Sequence, residues 1–238
     1  MFIDIFTFNN IFAILFTLIN FSLLVIAYKL FGKIGLFSWI VMSSIVANII
    51  VTKVVDLFWF EAATLGNATY GSIFLATDVL SEKYTKKDAK MSVYLGFFAI
   101  ISSTLIIQLA LLFNPVYQDI QDNLQGVFAL APRIVIGSLC AFLISQLLDI
   151  TLFERIKQKM PETKFLWIRN NGSTLISQLL DSIVFVLIAF YGVFELNILL
   201  SILISTYILK LLVAILDTPF LYLIKKITPL NEKDENPL

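Results

Sequence analysis

Seven long apolar runs, near residues 10–28, 35–60, 67–82, 91–113, 127–153, 172–193 and 197–224, decide what solvent this chain folds in. Each is near or above the length that crosses a hydrocarbon core, where backbone polar groups must be satisfied within their own segment, so the runs read as helices. A hydrophobic content of 59% with 22 Phe exceeds what one soluble core needs. The expected fold is all-α: a polytopic bundle of about seven transmembrane helices, forming a single transmembrane domain over residues 1–238. The third run is the weakest, because GSIFLATDVLSEKY is short and ends in acids; a re-entrant segment is the competing reading.

The connections give an orientation. Lys29 and Lys33 follow the first run, Lys83, Lys86, Lys87 and Lys90 the third, Arg155, Lys157, Lys159, Lys164 and Arg169 the fifth, and Lys225, Lys226 and Lys233 the last. The alternate connections carry acids only: Glu61, then Asp119 and Asp122, then Glu195, with Asp4 ahead of the first run. Basic connections stay in the cytoplasm, so the N-terminus is expected outside and the C-terminus inside a bacterial or archaeal cell membrane. MFIDIFTFNN lacks a positive n-region and runs into the first span without a small-residue cleavage site, so a retained first helix is expected. The polar segment 225–238 reads as a short cytoplasmic tail with no fold of its own.

Composition also excludes chemistry. The chain has no His, which removes His-based general bases, Ser-His-Asp and Cys-His nucleophile systems and most zinc sites. Its single Cys, Cys140, lies in an apolar run and reads as a small core residue. A net charge of zero gives no reason to expect a nucleic-acid partner. No cofactor is called for.

The polar residues inside the apolar runs carry the functional signal. LISQLLD at 143–149 recurs unchanged at 175–181. At 3.6 residues per turn Ser145, Gln146 and Asp149 fall in one arc, as do Ser177, Gln178 and Asp181, so each copy draws a polar stripe along an apolar rod. A central Asp costs about 2.5–3.5 kcal/mol on insertion scales, so the stripes must face each other, other polar groups or a watery cavity. Consecutive spans run in opposite directions, which brings the copies together antiparallel at one depth, as in an inverted repeat.

Asn170, Ser173 and Thr174 extend the sixth-run stripe beyond what packing requires, whereas Gly137, Ser138, Ala141 and Ser145 form a small-residue face suited to close helix approach. On the second run Asn48, Thr52 and Asp56 share a stripe with Lys53 beside it, either a ligand face or an internal Lys53–Asp56 pair. Asp78 and Glu82 lie one turn apart on the third run, where like charges raise one proton affinity or call for a shared cation; for Glu82 a solvated boundary position is the alternative. The embedded cations Lys53, Arg133 and Lys210 should each meet an embedded carboxylate. With Asp56, Asp78, Asp149, Asp181 and Asp217 embedded, acids still exceed bases, which suits a solute rich in hydrogen-bond donors. Pro219 in the seventh run marks a kink or a place where the helix opens.

ANIIVTK (47–53), TDVLSEKY (77–84), Arg133 with SLCAFLISQLLD (138–149), LWIRNNGSTLISQLLD (166–181), and the late Lys210, DTP (217–219) and Tyr222 resemble the integral-membrane queuosine precursor transporters, formerly grouped as vitamin uptake transporters. The resemblance spans roughly residues 40–224. Thr85 stands where the family commonly has Gly, and Gly71 where Pro is frequent; both departures touch loop geometry and leave the acids in place. It implies a six-helix core plus an N-terminal helix, and uptake of 7-deazaguanines such as 7-cyano-7-deazaguanine for tRNA modification. The residues expected to bind such a deazapurine are Asn48, Lys53, Asp78, Glu82, Arg133, Gln146, Asp149, Asn170, Gln178, Asp181 and Lys210.

The expected function is transport rather than catalysis. Two alternatives remain: a substrate-binding subunit working with an energising partner, and an intramembrane aspartyl enzyme using Asp149 and Asp181 as a dyad, although neither Asp has a Gly-x-Gly-Asp context. The lipid bilayer is a partner in every case, and a homo-oligomer is left open.

Overall fold

The computed structural model describes residues 7–51, 53–58, 60–128 and 132–233, without the side chains of 54, 60–64, 132, 133 and 233. Helix α1 (Phe8–Ile50) contains the first apolar run and most of the second. It is interrupted at Gly32, whose φ of 56° and ψ of −133° a side chain would strain. The chain doubles back there. A Cβ on Gly35 would stand 2.3 Å from the Ala27 carbonyl oxygen, and Asn10 near the start of α1 accepts the Phe58 N–H, just past its end, at 2.7 Å. The α1 segment is therefore a helical hairpin of two arms.

The second run does not stay helical to residue 60. Strands β1 (Val54–Leu57) and β2 (Phe60–Thr64) form an antiparallel hairpin, with Val54 opposite Thr64 and Val55 opposite Ala63. VVDLFWFEAAT is dense in β-branched and aromatic residues, which fit a pleated ribbon better than a helix turn. The turn carries Phe58 at φ 54°. Helix α2 (Gly66–Lys83) then re-enters the bundle, followed by α3 (Lys86–Ala110), the short α4 (Gln118–Phe128), α5 (Pro132–Lys159), a 3-10 turn (Thr163–Phe165), α6 (Leu166–Phe190), α7 (Leu196–Lys226) and α8 (Leu230–Lys233).

Five of the described helices, α1, α3, α5, α6 and α7, are long and apolar enough to cross a membrane. With α1 folded in two and α2 between its neighbours, seven rods make an all-α polytopic membrane bundle. Large apolar side chains such as Leu23, Phe98, Ile106 and Leu187 point outward, as a lipid-bathed surface requires. The doubtful third run becomes the centre of the fold. Almost every residue from Ala68 to Ser81 is buried, enclosed by α1, α3, α5 and α7. A helix that touches other helices on all sides needs no lipid-compatible face, so its Thr, Ser and Asp content is tolerated.

Close approach fixes the packing. Gly71 faces Val213 so tightly that a Cβ there would lie 2.2 Å from its Cγ1, and Gly137 meets the α6 backbone at Ala189. The small-residue face of α5 packs as expected, with Ala141 buried and Ser138 3.5 Å from the Tyr70 hydroxyl. Cys140 is only half-buried, at the edge of that face.

One end of the bundle gathers the basic side chains. Lys33 pairs with Asp88 at 2.6 Å, joining the α1 turn to the start of α3, and the Thr85–Asp88 capping box holds that start. The tail differs from expectation: residues 227–233 dock on this end. Lys83 Nζ donates to the Ile227 carbonyl at 2.5 Å, Tyr84 donates to Glu232, and Asn231 lies against the Gly32 turn. The physical reason is that the donors at the end of α2, the Lys83 ammonium and the Tyr84 hydroxyl, find their acceptors in this segment.

Candidate functional site

The two LISQLLD copies meet on α5 and α6, and they do so reciprocally. Ser145 Oγ donates to Asp181 Oδ1 at 2.9 Å and Ser177 Oγ donates to Asp149 Oδ1 at 2.8 Å. Each copy's serine serves the other's aspartate, the pattern that two antiparallel rods with the same stripe produce. Beyond this shared seam the two aspartates part. The second oxygen of Asp181 takes the Lys210 ammonium from α7, so the embedded cation on the seventh run has its carboxylate. Asp149 turns to α2, where its carboxyl approaches that of Asp78.

A second seam joins α6 to α7. Asn170 Nδ2 donates to Asp217 Oδ1 at 2.6 Å, and Asn171 Nδ2 donates to Thr218 Oγ1 at 2.8 Å. Asn-Asn at the head of α6 thus reads Asp-Thr ahead of Pro219. Across α2 and α5, Thr77 donates to Gln146 Oε1 at 3.1 Å.

These seams leave polar atoms over. Asp78, Asp149, Asn170, Asp217, Gln146 and Thr174 are at most 1% exposed. Yet both oxygens of Asp78, Asp149 Oδ2, Asn170 Oδ1, Asp217 Oδ2, Gln178 Oε1 and the Thr174 hydroxyl have no hydrogen-bond partner among the described residues, nor does Gln146 Nε2. A buried polar group without a partner costs about 1–3 kcal/mol, so this many in one core marks a site built for something other than stability. The set is rich in acceptors and poor in donors. Its donor complement has to come from a ligand, from water or from protons.

Towards the basic end the chemistry changes. Glu82, one turn below Asp78, accepts from Arg169 at 3.0 Å and Lys225 at 2.5 Å, with Lys157 at 3.9 Å. Side chains from α5, α6 and α7 thus converge on one carboxylate of α2. Arg169 also donates to the Met160 and Pro161 carbonyls, both at 2.9 Å.

The model of a family described as putative vitamin uptake transporter matches residues 64–224, from β2 through α7. The chain belongs to this family. It is 44% identical to a probable queuosine precursor transporter of Bacillus subtilis over 227 residues, which cover 95% of this chain and 99% of that one. A queuosine precursor transporter of Escherichia coli is 28% identical over 170 residues, 69% of this chain and 70% of its own, and a probable one of Haemophilus influenzae 30% over 129 residues, 54% and 52%. No solved structure matches.

Within this uptake-transporter chain, ten of the eleven expected binding residues have described side chains, and these divide into four groups. Asp78, Gln146, Asp149, Asn170 and Gln178 stand together with unmet atoms. Asp181 and Lys210 close on each other beside them, which separates the two members of the supposed aspartyl dyad. Glu82 is neither solvated nor free: it ties four helices. Asn48 and Lys53 stand elsewhere. Asn48 donates to Ser44 and lines a separate cavity of about 310 Å³ with Ser103, Thr104 and Gln108, while Lys53 is exposed beyond the end of α1 and has no ion pair among the described residues. The pairing of Lys53 with a buried acid fails because the chain leaves the helix before residue 54. Thr52 and the Arg133 side chain lie outside the described residues. Asp217, counted among the embedded acids, was missing from the binding set; the signal for it was DTP, read for its proline rather than its aspartate. Arg169, read as a loop cation, is completely buried.

Proposed function

We propose that this membrane transporter imports 7-deazaguanines, 7-cyano-7-deazaguanine in particular, for tRNA modification. The observation that carries the reading is the Asn170–Asp217 pair: its members are already joined, and each keeps one buried oxygen without a donor. A guanine-like edge presents adjacent N–H donors and one carbonyl, which suits two free acceptors with an amide donor such as Gln146 Nε2 nearby in the core. The names of the relatives support the same substrate class.

The basic end faces the cytoplasm in this reading, with both the Gly32 turn and α8 on that side. A cysteine introduced at Lys87 in a Cys140→Ser background should react with an impermeant maleimide only in opened cells. Labelling in intact cells reverses the orientation. Function is tested by uptake in cells unable to make deazaguanines: expressing this chain should restore queuosine in tRNA at nanomolar external 7-cyano-7-deazaguanine. No restoration, with the protein present in the membrane, rejects the substrate class.

A further inference from the structure

We infer that Asp78 and Asp149 share one proton, and that this proton is the ion co-transported with the solute. The inference rests on the deazaguanine reading above for its solute and adds the driving force. It starts from two fully buried carboxyl groups on neighbouring helices that approach each other: the 3.1 Å Thr77–Gln146 hydrogen bond joins α2 to α5 beside Asp78 and one turn from Asp149, and both Asp78 oxygens and Asp149 Oδ2 lack a donor among the described residues. Two ionised carboxylates have only acceptors to offer, so contact between them requires one proton.

Among the described residues no cation stands free beside the pair. From α7 comes Asp217, a third acid, and Glu82 lies one turn away on α2. Among the described residues the cations beside these carboxyls are engaged: Lys210 by Asp181, Arg169, Lys157 and Lys225 by Glu82, and Lys83 by the Ile224 and Ile227 carbonyls. From α6, Ser177 donates to Asp149 Oδ1 at 2.8 Å and leaves Oδ2 without a donor among the described residues. The groups of α1 and α3 near the lower part of α2, Tyr28 and the Lys33–Asp88 pair, belong to the basic end. Without its proton the pair would drive α2 from α5; with it the two helices close.

A second observation separates the proton's place from the solute's. One shared proton satisfies one oxygen of Asp78 and Asp149 Oδ2. It leaves Asn170 Oδ1, Asp217 Oδ2 and Gln178 Oε1, all in side chains at least 97% buried, still without donors. The proton and the base edge therefore fit at the same time instead of competing for the same atoms. A carrier whose closed form needs the proton, and whose acceptors for proton and solute are different atoms, moves them together.

The test uses the whole protein in liposomes with the membrane potential clamped at zero. With the outside more acidic by one pH unit, one proton per neutral solute accumulates 7-cyano-7-deazaguanine about tenfold, and a protonophore returns the ratio to one. Solute exchange without any gradient is measured in parallel. Exchange without accumulation overturns the proton coupling and leaves the substrate reading standing; no exchange overturns the substrate reading itself. The location is read spectroscopically in detergent. The wild-type infrared spectrum should contain a protonated-carboxyl band that shifts in heavy water and disappears in folded Asp78→Asn or Asp149→Asn. Its absence from the wild type, or its persistence in both variants, overturns the assignment.

Discussion

Asp217→Asn should bind 7-cyano-7-deazaguanine about 10- to 150-fold more weakly than the unaltered protein, equivalent to about 1.5–3 kcal/mol. The Asn170 amide holds one oxygen of this carboxyl at 2.6 Å, and an asparagine can keep that bond with its carbonyl. Its amide nitrogen then stands where Asp217 Oδ2 stood, so a donor opposes the N–H edge of the base. Size is unchanged, and the bundle should fold normally. Calorimetry on detergent-solubilised protein measures the affinity, and thermal unfolding of the same sample separates a binding defect from a folding one. Wild-type affinity in a folded variant would remove Asp217 from the site. The Asn170→Leu variant probes the same edge, because it deletes the neighbouring acceptor.

The second large effect is on stability. Glu82→Ala strands the Arg169 guanidinium, which is 0% exposed, in a core that offers it only the carbonyls of Met160 and Pro161. Removing one partner of a buried ion pair costs about 3–5 kcal/mol, a large share of the stability of a domain. The expected result is a marked fall in Tm and in folded yield. Replacing both residues, Glu82→Met with Arg169→Met, should recover most of it, because no fully buried charge is left stranded and Lys157 and Lys225 are part-exposed. A single Glu82→Ala variant as stable as wild type would show that the ion pairs on Glu82 do not hold these helices.

The repeated LISQLLD stripe was legible because period and depth are properties of one helix, and antiparallel neighbours with equal stripes can meet in only one register. Lys210 was legible for a similar reason: an ammonium in hydrocarbon must find an acid. What sequence did not reveal was which acid each group chooses. Asp149 and Asp181 carry identical local contexts, yet one meets Asp78 and the other Lys210, a difference set by the helices lying behind the seam. The end of the second span was misplaced because hydropathy cannot distinguish a buried helix from an aromatic β-hairpin at the bundle's end. Lys53 went wrong with it. Arg169 was misjudged because its position beside a basic connection concealed that α2 brings Glu82 to the same depth.

The enclosure of α2 has a consequence for biosynthesis. A segment carrying Thr77, Asp78, Ser81 and Glu82 has little reason to leave the translocon for lipid by itself, since each acid in its interior counts against partitioning. Every protein surface that makes its crossing favourable comes from elsewhere: the α1 hairpin is synthesised before it, but α5 and α7, which bring Asp149 and Asp217, follow only after a further fifty to one hundred and fifty residues, counting roughly along the chain. Until they arrive α2 can lean on α1 and α3 alone. The residues that equip this helix for its solute are thus the ones that delay its membrane insertion, and its final placement waits for the last long helix to leave the ribosome.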